Sequence, residues 1–135
     1  MPTKVVYIID ENRVNRDLIE RLMKNEFGSL IIKRFDSCES GFRYFMEEQR
    51  FLVKEYPDSI LLSGSLSPNC ISRFLEEVEN FQPQLGKPIQ VHMMLDPNSA
   101  QSLDFKKSTL VSGIIERPIC PQDIFNLAQS LLVAV

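Results

Sequence analysis

Val5-Val6-Tyr7-Ile8-Ile9-Asp10-Glu11-Asn12-Arg13-Val14-Asn15-Arg16 is the stretch from which the fold is read. Its first five residues are apolar and mostly β-branched, the pattern of a strand buried on both faces. An acidic pair closes the strand, and the apolar spacing then changes to that of a helix. Val14, Leu18, Ile19, Leu22 and Met23 fall on one face, and Gly28 is placed to end it. Strand, acidic turn and helix make the first unit of a parallel α/β sheet.

The same grammar repeats outward from this unit. Further short apolar runs lie at Leu30-Ile31-Ile32, Ile60-Leu61-Leu62, residues 89–95 and Gly113-Ile114-Ile115. Between them the spacing is helical. Asp36 stands three residues before Glu39 as a variant capping box, and Phe42, Phe45 and Met46 form the stripe that follows. Ile71, Phe74, Leu75 and Val78 form the third helix, closed by a Pro- and Gly-bearing loop at 82–88. The fourth, roughly 98–110, is the weakest, with Leu103, Phe105 and Leu110 to bury. Pro121 opens the last, which buries Ile124, Leu127, Ala128 and Leu131. Strand and helix alternating five times imply right-handed crossovers and a doubly wound parallel sheet, as one domain over residues 1–135.

Composition narrows the function classes. The chain has 135 residues and a net charge of −3, and its nearest basic cluster is the pair Lys106-Lys107, so nucleic acid is not an expected partner. No apolar run approaches the roughly 20 residues of a membrane span, and the N-terminus lacks the pattern of a secretory signal. Cys38, Cys70 and Cys120 are far apart and without Cys-x-x-Cys spacing, which reads as reduced thiols in a cytoplasmic protein. His92, the single histidine, lies in an apolar stretch and reads as a buried or half-buried strand residue.

In a doubly wound sheet the site lies beyond the carboxyl ends of the strands. That places Asp10 and Glu11, residues 63–67, residues 93–96 and Glu116-Arg117-Pro118 under inspection. The loop after the first strand is acidic and free of glycine, which argues against a bound nucleotide or flavin. Ser63-Gly64-Ser65-Leu66-Ser67 lacks the Gly-x-Ser-x-Gly of a hydrolase nucleophile, so a small hydrolase or transferase has little support. Adjacent acids at a strand end suit a hard cation such as Mg²⁺, or they cap the first helix. Both readings of Asp10 and Glu11 stand on this evidence.

Residues 5–16 resemble the opening of response-regulator receiver domains, in which a hydrophobic strand ends in an acidic pair. Pro57-Asp58-Ser59-Ile60-Leu61-Leu62 is similar to the family's third strand, and Glu116-Arg117-Pro118 to its Lys-Pro turn. The order and spacing of all ten elements agree. The resemblance implies a flavodoxin-like, three-layer α/β/α fold with strand order 2-1-3-4-5. It also exposes departures. The family's phosphoacceptor Asp at the end of strand three corresponds to Ser63, or to Gly64 counting back from Pro68, and residues 59–75 contain no Asp or Glu. A serine ester would not replace the labile acyl phosphate of a carboxylate. The strand-four hydroxyl corresponds to Met93, or to Leu95 in a shifted register. The strand-five aromatic corresponds to Ile114 and the lysine to Arg117. Arg117 either pairs with Asp10 or Glu11 or remains solvated.

The resemblance therefore implies a pseudo-receiver: a cytoplasmic, non-enzymatic signalling module of a two-component or phosphorelay system that works by phosphorylation-independent protein–protein interaction. No cofactor is required, and Asp10 with Glu11 gives at most weak Mg²⁺ binding. The expected partner is a histidine kinase or an output protein. A homodimer would form through the fourth helix, fifth strand and fifth helix, or through the first and fifth helices. The alternative is a phosphorelay receiver with a non-standard phosphoacceptor, such as Asp58 or Asp96.

Overall fold

A computed structural model of the chain describes residues 4–26, 30–48, 56–86, 88–96 and 111–133. Their elements run β1 (Lys4–Ile9), α1 (Arg13–Glu26), β2 (Leu30–Phe35), α2 (Cys38–Glu48), β3 (Ser59–Ser63), α3 (Pro68–Leu85), β4 (Gln90–Leu95), β5 (Gly113–Glu116) and α4 (Pro121–Val133). The fourth helix expected at roughly 98–110, and with it that helix's part of the expected dimer face, lies outside the described residues, so α4 is the last helix of the sequence reading. All strand pairs are parallel, in the order β2-β1-β3-β4-β5.

Each strand is apolar on both sides because each side meets a helix layer. Val5, Tyr7, Ile9, Ile60, Leu62, Val91 and Met93 face α2 and α3, where they meet Phe45, Phe74 and Val78. Val6, Ile8, Leu61, Met94 and Ile115 face α1 and α4, where they meet Ile19, Met23, Ile124, Leu127 and Leu131. Alternate residues of one strand thus feed two cores, the condition for three α/β/α layers. No described helix is long and apolar enough to cross a membrane.

Several local expectations shift. The face expected for α1 is only partly buried: Ile19 and Met23 are inside, whereas Val14 is 74% and Leu18 36% exposed. One sheet face is shared between α1 and α4, so the outer flank of the apolar stripe is left in water. The α2 cap is Ser37 rather than Asp36, since the Ser40 amide donates to Ser37 Oγ at 3.1 Å. Helix α3 continues through Pro83, where the expected loop would begin, and ends at Gly86 with φ 70°. A proline in the last turn removes only one bond near a terminus, and the left-handed cap suits glycine.

The thiols also differ from expectation. Cys38 and Cys70 are disulfide-bonded, with Cα atoms 6.2 Å apart, and Cys120 is free and exposed. Sequence distance concealed the pairing: α2 and α3 pack side by side on one face of the sheet, which brings their amino-terminal turns together.

Candidate functional site at the carboxyl edge of the sheet

Strand β1 delivers Asp10 to the carboxyl edge with no solvent exposure. The Asp10 amide still donates to Phe35 O at 3.1 Å, so the backbone is held by β2 before the chain turns away. Oδ1 of Asp10 accepts the Asn12 amide at 2.8 Å, and Asn12 Oδ1 accepts the Asn15 amide at 3.1 Å. Asn12 therefore caps α1, and Asp10 braces the turn before it. The cap is thus the neighbouring asparagine, which leaves Oδ2 of Asp10 for the strand edge. Asn15 Nδ2 lies 3.5 Å from that oxygen, and Arg16 donates to the Asp10 carbonyl at 2.5 Å.

From β5, Arg117 enters the same space. Its backbone amide donates to Leu95 O at 2.9 Å, which fixes the strand end, and its guanidinium lies 3.6 Å from Asp10 Oδ2. The side chain is 19% exposed and also donates to Ser63 Oγ. Ser63 Oγ and Ser65 Oγ are 2.7 Å apart, and Ser65 Oγ donates to Glu11 Oε1. Because Ser65 gives its proton to Glu11, the shared bond must be donated by Ser63. A directed chain runs from Nη2 of the guanidinium through two hydroxyls to a carboxylate, and the same Nη2 is the nitrogen that faces Asp10.

Burial dominates the acidity of Asp10. Removal from water pushes its carboxyl above the usual 3.8; the Asn12 amide and then Arg117 pull it down, while Glu11 pushes it up. A divalent cation would meet two acids, a serine hydroxyl and a guanidinium here. No group of three or more His, Cys, Asp or Glu side chains suited to a metal occurs among the described residues. The Arg117 guanidinium stands beside Asp10, where it competes with a divalent cation for the carboxylate.

The remaining expected residues fall into place around this cluster. The Ser63 hydroxyl faces Arg117, whereas a Cβ on Gly64 would lie 2.0 Å from Leu95 Cδ2 and 3.2 Å from Met94 O. Met93 is fully buried and pairs with Leu62 and Ile114; Leu95, also buried, borders Gly64. Ile114 is partly buried against the α2/α3 core. Neither β4 residue carries a hydroxyl, and Ile114 carries no ring. Asp96 is exposed just beyond β4. Asp58 is at the opposite end of the sheet, where its Oδ2 accepts the Val5 amide at 2.8 Å, so it cannot substitute for an acid at the Asp10 edge.

His92 takes no part in the site. It is half-buried on β4 and lines an open cavity of about 300 Å³ with Gly113, Asp123, Asn126 and Ser130. Burial lowers its pKa from 6.5 to about 4, so the ring is neutral at physiological pH. Sequence reasoning placed Ser65 at the edge without giving it a role, and gave none there to Asn12, Asn15 or Arg16. The spacing Asn12-x-x-Asn15 was a readable cap signal; the reach of Ser65 to Glu11, 54 residues away, was not.

No family model matches this sequence, and no curated protein matches it. Solved structures do. A two-component response regulator from Clostridium difficile is 14% identical with a TM-score of 0.73, covering 97% of each chain. The phosphorylated cyanobacterial phytochrome response regulator RcpA is 18% identical with a TM-score of 0.72, covering 98% of this chain and 96% of that one. A Saccharomyces cerevisiae receiver domain, solved with a histidine phosphotransfer protein, is 14% identical with a TM-score of 0.73, covering 96% and 89%. At these identities the likeness is one of architecture: the chain has the fold of response-regulator receiver domains, a five-stranded parallel sheet in order 2-1-3-4-5 between two helix layers.

Proposed function

We propose that the chain is a pseudo-receiver, a signalling module that acts by binding other proteins rather than by accepting a phosphoryl group. The observation that carries this reading is the Arg117 guanidinium lodged between Asp10 and Ser63. Ser63 occupies the strand-three position of the missing phosphoacceptor, and its hydroxyl is already engaged by Arg117 and Ser65. A phosphoryl group would need a carboxylate nucleophile where this chain has an alcohol. Met93 or Leu95 and Ile114 cannot perform the hydroxyl and aromatic steps that report phosphorylation. Arg117 takes the place of Mg²⁺ in neutralising Asp10, so Mg²⁺ binds weakly and no cofactor is needed.

Partner binding uses the flank of α1 that the sheet does not cover. Val14 and Leu18 are the exposed apolar residues of that helix, and Leu22 with Pro121 and Phe125 of α4 lines a shallow cavity alongside. The partner in this reading is a histidine phosphotransfer or histidine kinase domain in the cytoplasm; that a yeast receiver domain was solved with a histidine phosphotransfer protein supports a protein partner. A second copy of this chain meeting through α1 and α4 is the competing occupant.

Acetyl phosphate with Mg²⁺, or beryllium fluoride, should leave the intact mass and the amide spectrum unchanged. A gain of one phosphoryl group that hydroxylamine removes would overturn the reading. Val14→Asp with Leu18→Ser should abolish capture of the partner domain while leaving the melting temperature near that of the parent.

A further inference from the structure

The α2/α3 side of the sheet carries chemistry that the proposed function does not use. Cys38 is the first residue of α2, and Cys70 lies in the first turn of α3. Cys38 is 1% exposed and part of the core. Cys70 is half-buried and lines an open groove of about 470 Å³ whose walls include Glu39, Phe42, Arg43, Ser67 and Arg73. The Arg73 guanidinium stacks over the Phe42 ring at 5.1 Å.

We propose that Cys38 and Cys70 form a reversible thiol–disulfide site, whose exchange partner is a small thiol bearing carboxylates, of the glutathione class, seated in this groove. Access sets the order of events. A thiolate in the groove meets the sulfur of Cys70, not the buried sulfur of Cys38. It bonds to Cys70 Sγ as the Cys38–Cys70 bond breaks, and Cys38 leaves as a thiolate that takes up a proton. A second thiol then attacks the mixed disulfide, freeing Cys70 and releasing the small-molecule disulfide. The disulfide gains two electrons and two protons, and two small thiols lose them.

Charge sets the preference for the partner. Arg43 and Arg73 flank the groove and offer partners for carboxylates, against the one acid, Glu39. The same guanidinium groups, with the amino-terminal turn of α3, favour the thiolate of Cys70 once reduced. The site also reaches the strand edge through the chain: Ser63 and Ser65 lie in the segment leading into the first turn of α3. Breaking the bond frees that turn from α2, and with it the hydroxyls that connect Arg117 to Glu11.

The test uses the full chain carrying Cys120→Ser. In glutathione buffers of graded redox ratio, alkylation and intact mass should show a single transition from no adduct to two. With Cys38→Ser added, oxidised glutathione should leave one glutathione on Cys70; with Cys70→Ser instead, Cys38 should stay unmodified in the folded protein. Arg43→Ala with Arg73→Ala should slow reduction by glutathione about threefold or more, yet leave the rate with neutral 2-mercaptoethanol unchanged. Comparing two thiols on one variant separates docking from folding, which would move both rates together. Amide signals of Ser63, Ser65 and Arg117 should shift on reduction. Two free thiols throughout the oxidising range, or an adduct on Cys38 rather than Cys70, would overturn the site. Equal slowing with both thiols would overturn the docked partner, and unmoved signals the connection to the edge. None of these readings depends on the phosphorylation result.

Discussion

Asp58 and Asp10 stand at opposite ends of one sheet, and their surroundings give them opposite work. Before β3, Asp58 accepts the Val5 amide through Oδ2 at 2.8 Å, donates its own amide to Val5 O at 2.8 Å, and accepts the Gln90 amide at 3.0 Å. It extends the ladder that ties β1, β3 and β4 together. After β1, Asp10 is more deeply buried, yet its carboxylate faces side chains from different elements: Asn15 of α1 and Arg117 beyond β5. Asp10 instead faces side chains that converge from different elements, with the Arg117 guanidinium 3.6 Å from its Oδ2.

The sharpest challenge to this contrast is at the Asp10 end. Gly64→Asp should destabilise the fold by about 3 kcal/mol, because its Cβ meets Leu95 and the Met94 carbonyl, with a charge then buried beyond. Ser63→Asp should fold normally and tighten Mg²⁺ binding, since its side chain already faces the cluster. Urea denaturation and calorimetry on both variants decide which residue owns the position. At the amino end, Asp58→Ala should cost about 2 kcal/mol by removing the acceptor of the Val5 amide.

Asp10→Asn should move stability the other way. The folded pKa of Asp10 lies above its usual 3.8, so the folded state holds its proton more tightly than the unfolded chain. Stability from this group is therefore greatest at pH below 3.8 and is lost as pH rises through the folded value. The neutral amide removes that loss, so Asn should raise stability at pH 7 relative to the parent and flatten the pH profile. A less stable variant would mean that the pair with Arg117 outweighs burial. The smallest effect is expected for Arg117→Ala, a loss of about 1 kcal/mol with stronger Mg²⁺ binding, and Arg117→Lys should be milder. If neither melting temperature nor Mg²⁺ affinity responds, Arg117 does not hold the edge.

Much of this was legible in the chain. Runs such as Val5–Ile9 between helical stripes signal strands covered on both faces, and the structure puts Val6 and Tyr7 in separate cores. The residue types at Ser63, Met93 and Ile114 were legible, an alcohol and two aliphatic side chains at or near strand ends. That the Ser63 side chain faces Arg117 while a Cβ on Gly64 would meet Leu95 was not legible, because a strand-end turn sets those directions.

Local periodicity determined the number, kind and order of the elements, because burial on a strand or helix repeats within a few residues. It could not determine which distant residues converge. Arg117 reaches Ser63 across 54 positions only because β1, β3, β4 and β5 lie side by side and end together. Cys38 finds Cys70 because α2 and α3 share one face, and Val14 stays in water because α1 and α4 divide the other. Those outcomes belong to the packed sheet: contact between residues far apart in the chain is decided by the layers between which they are buried.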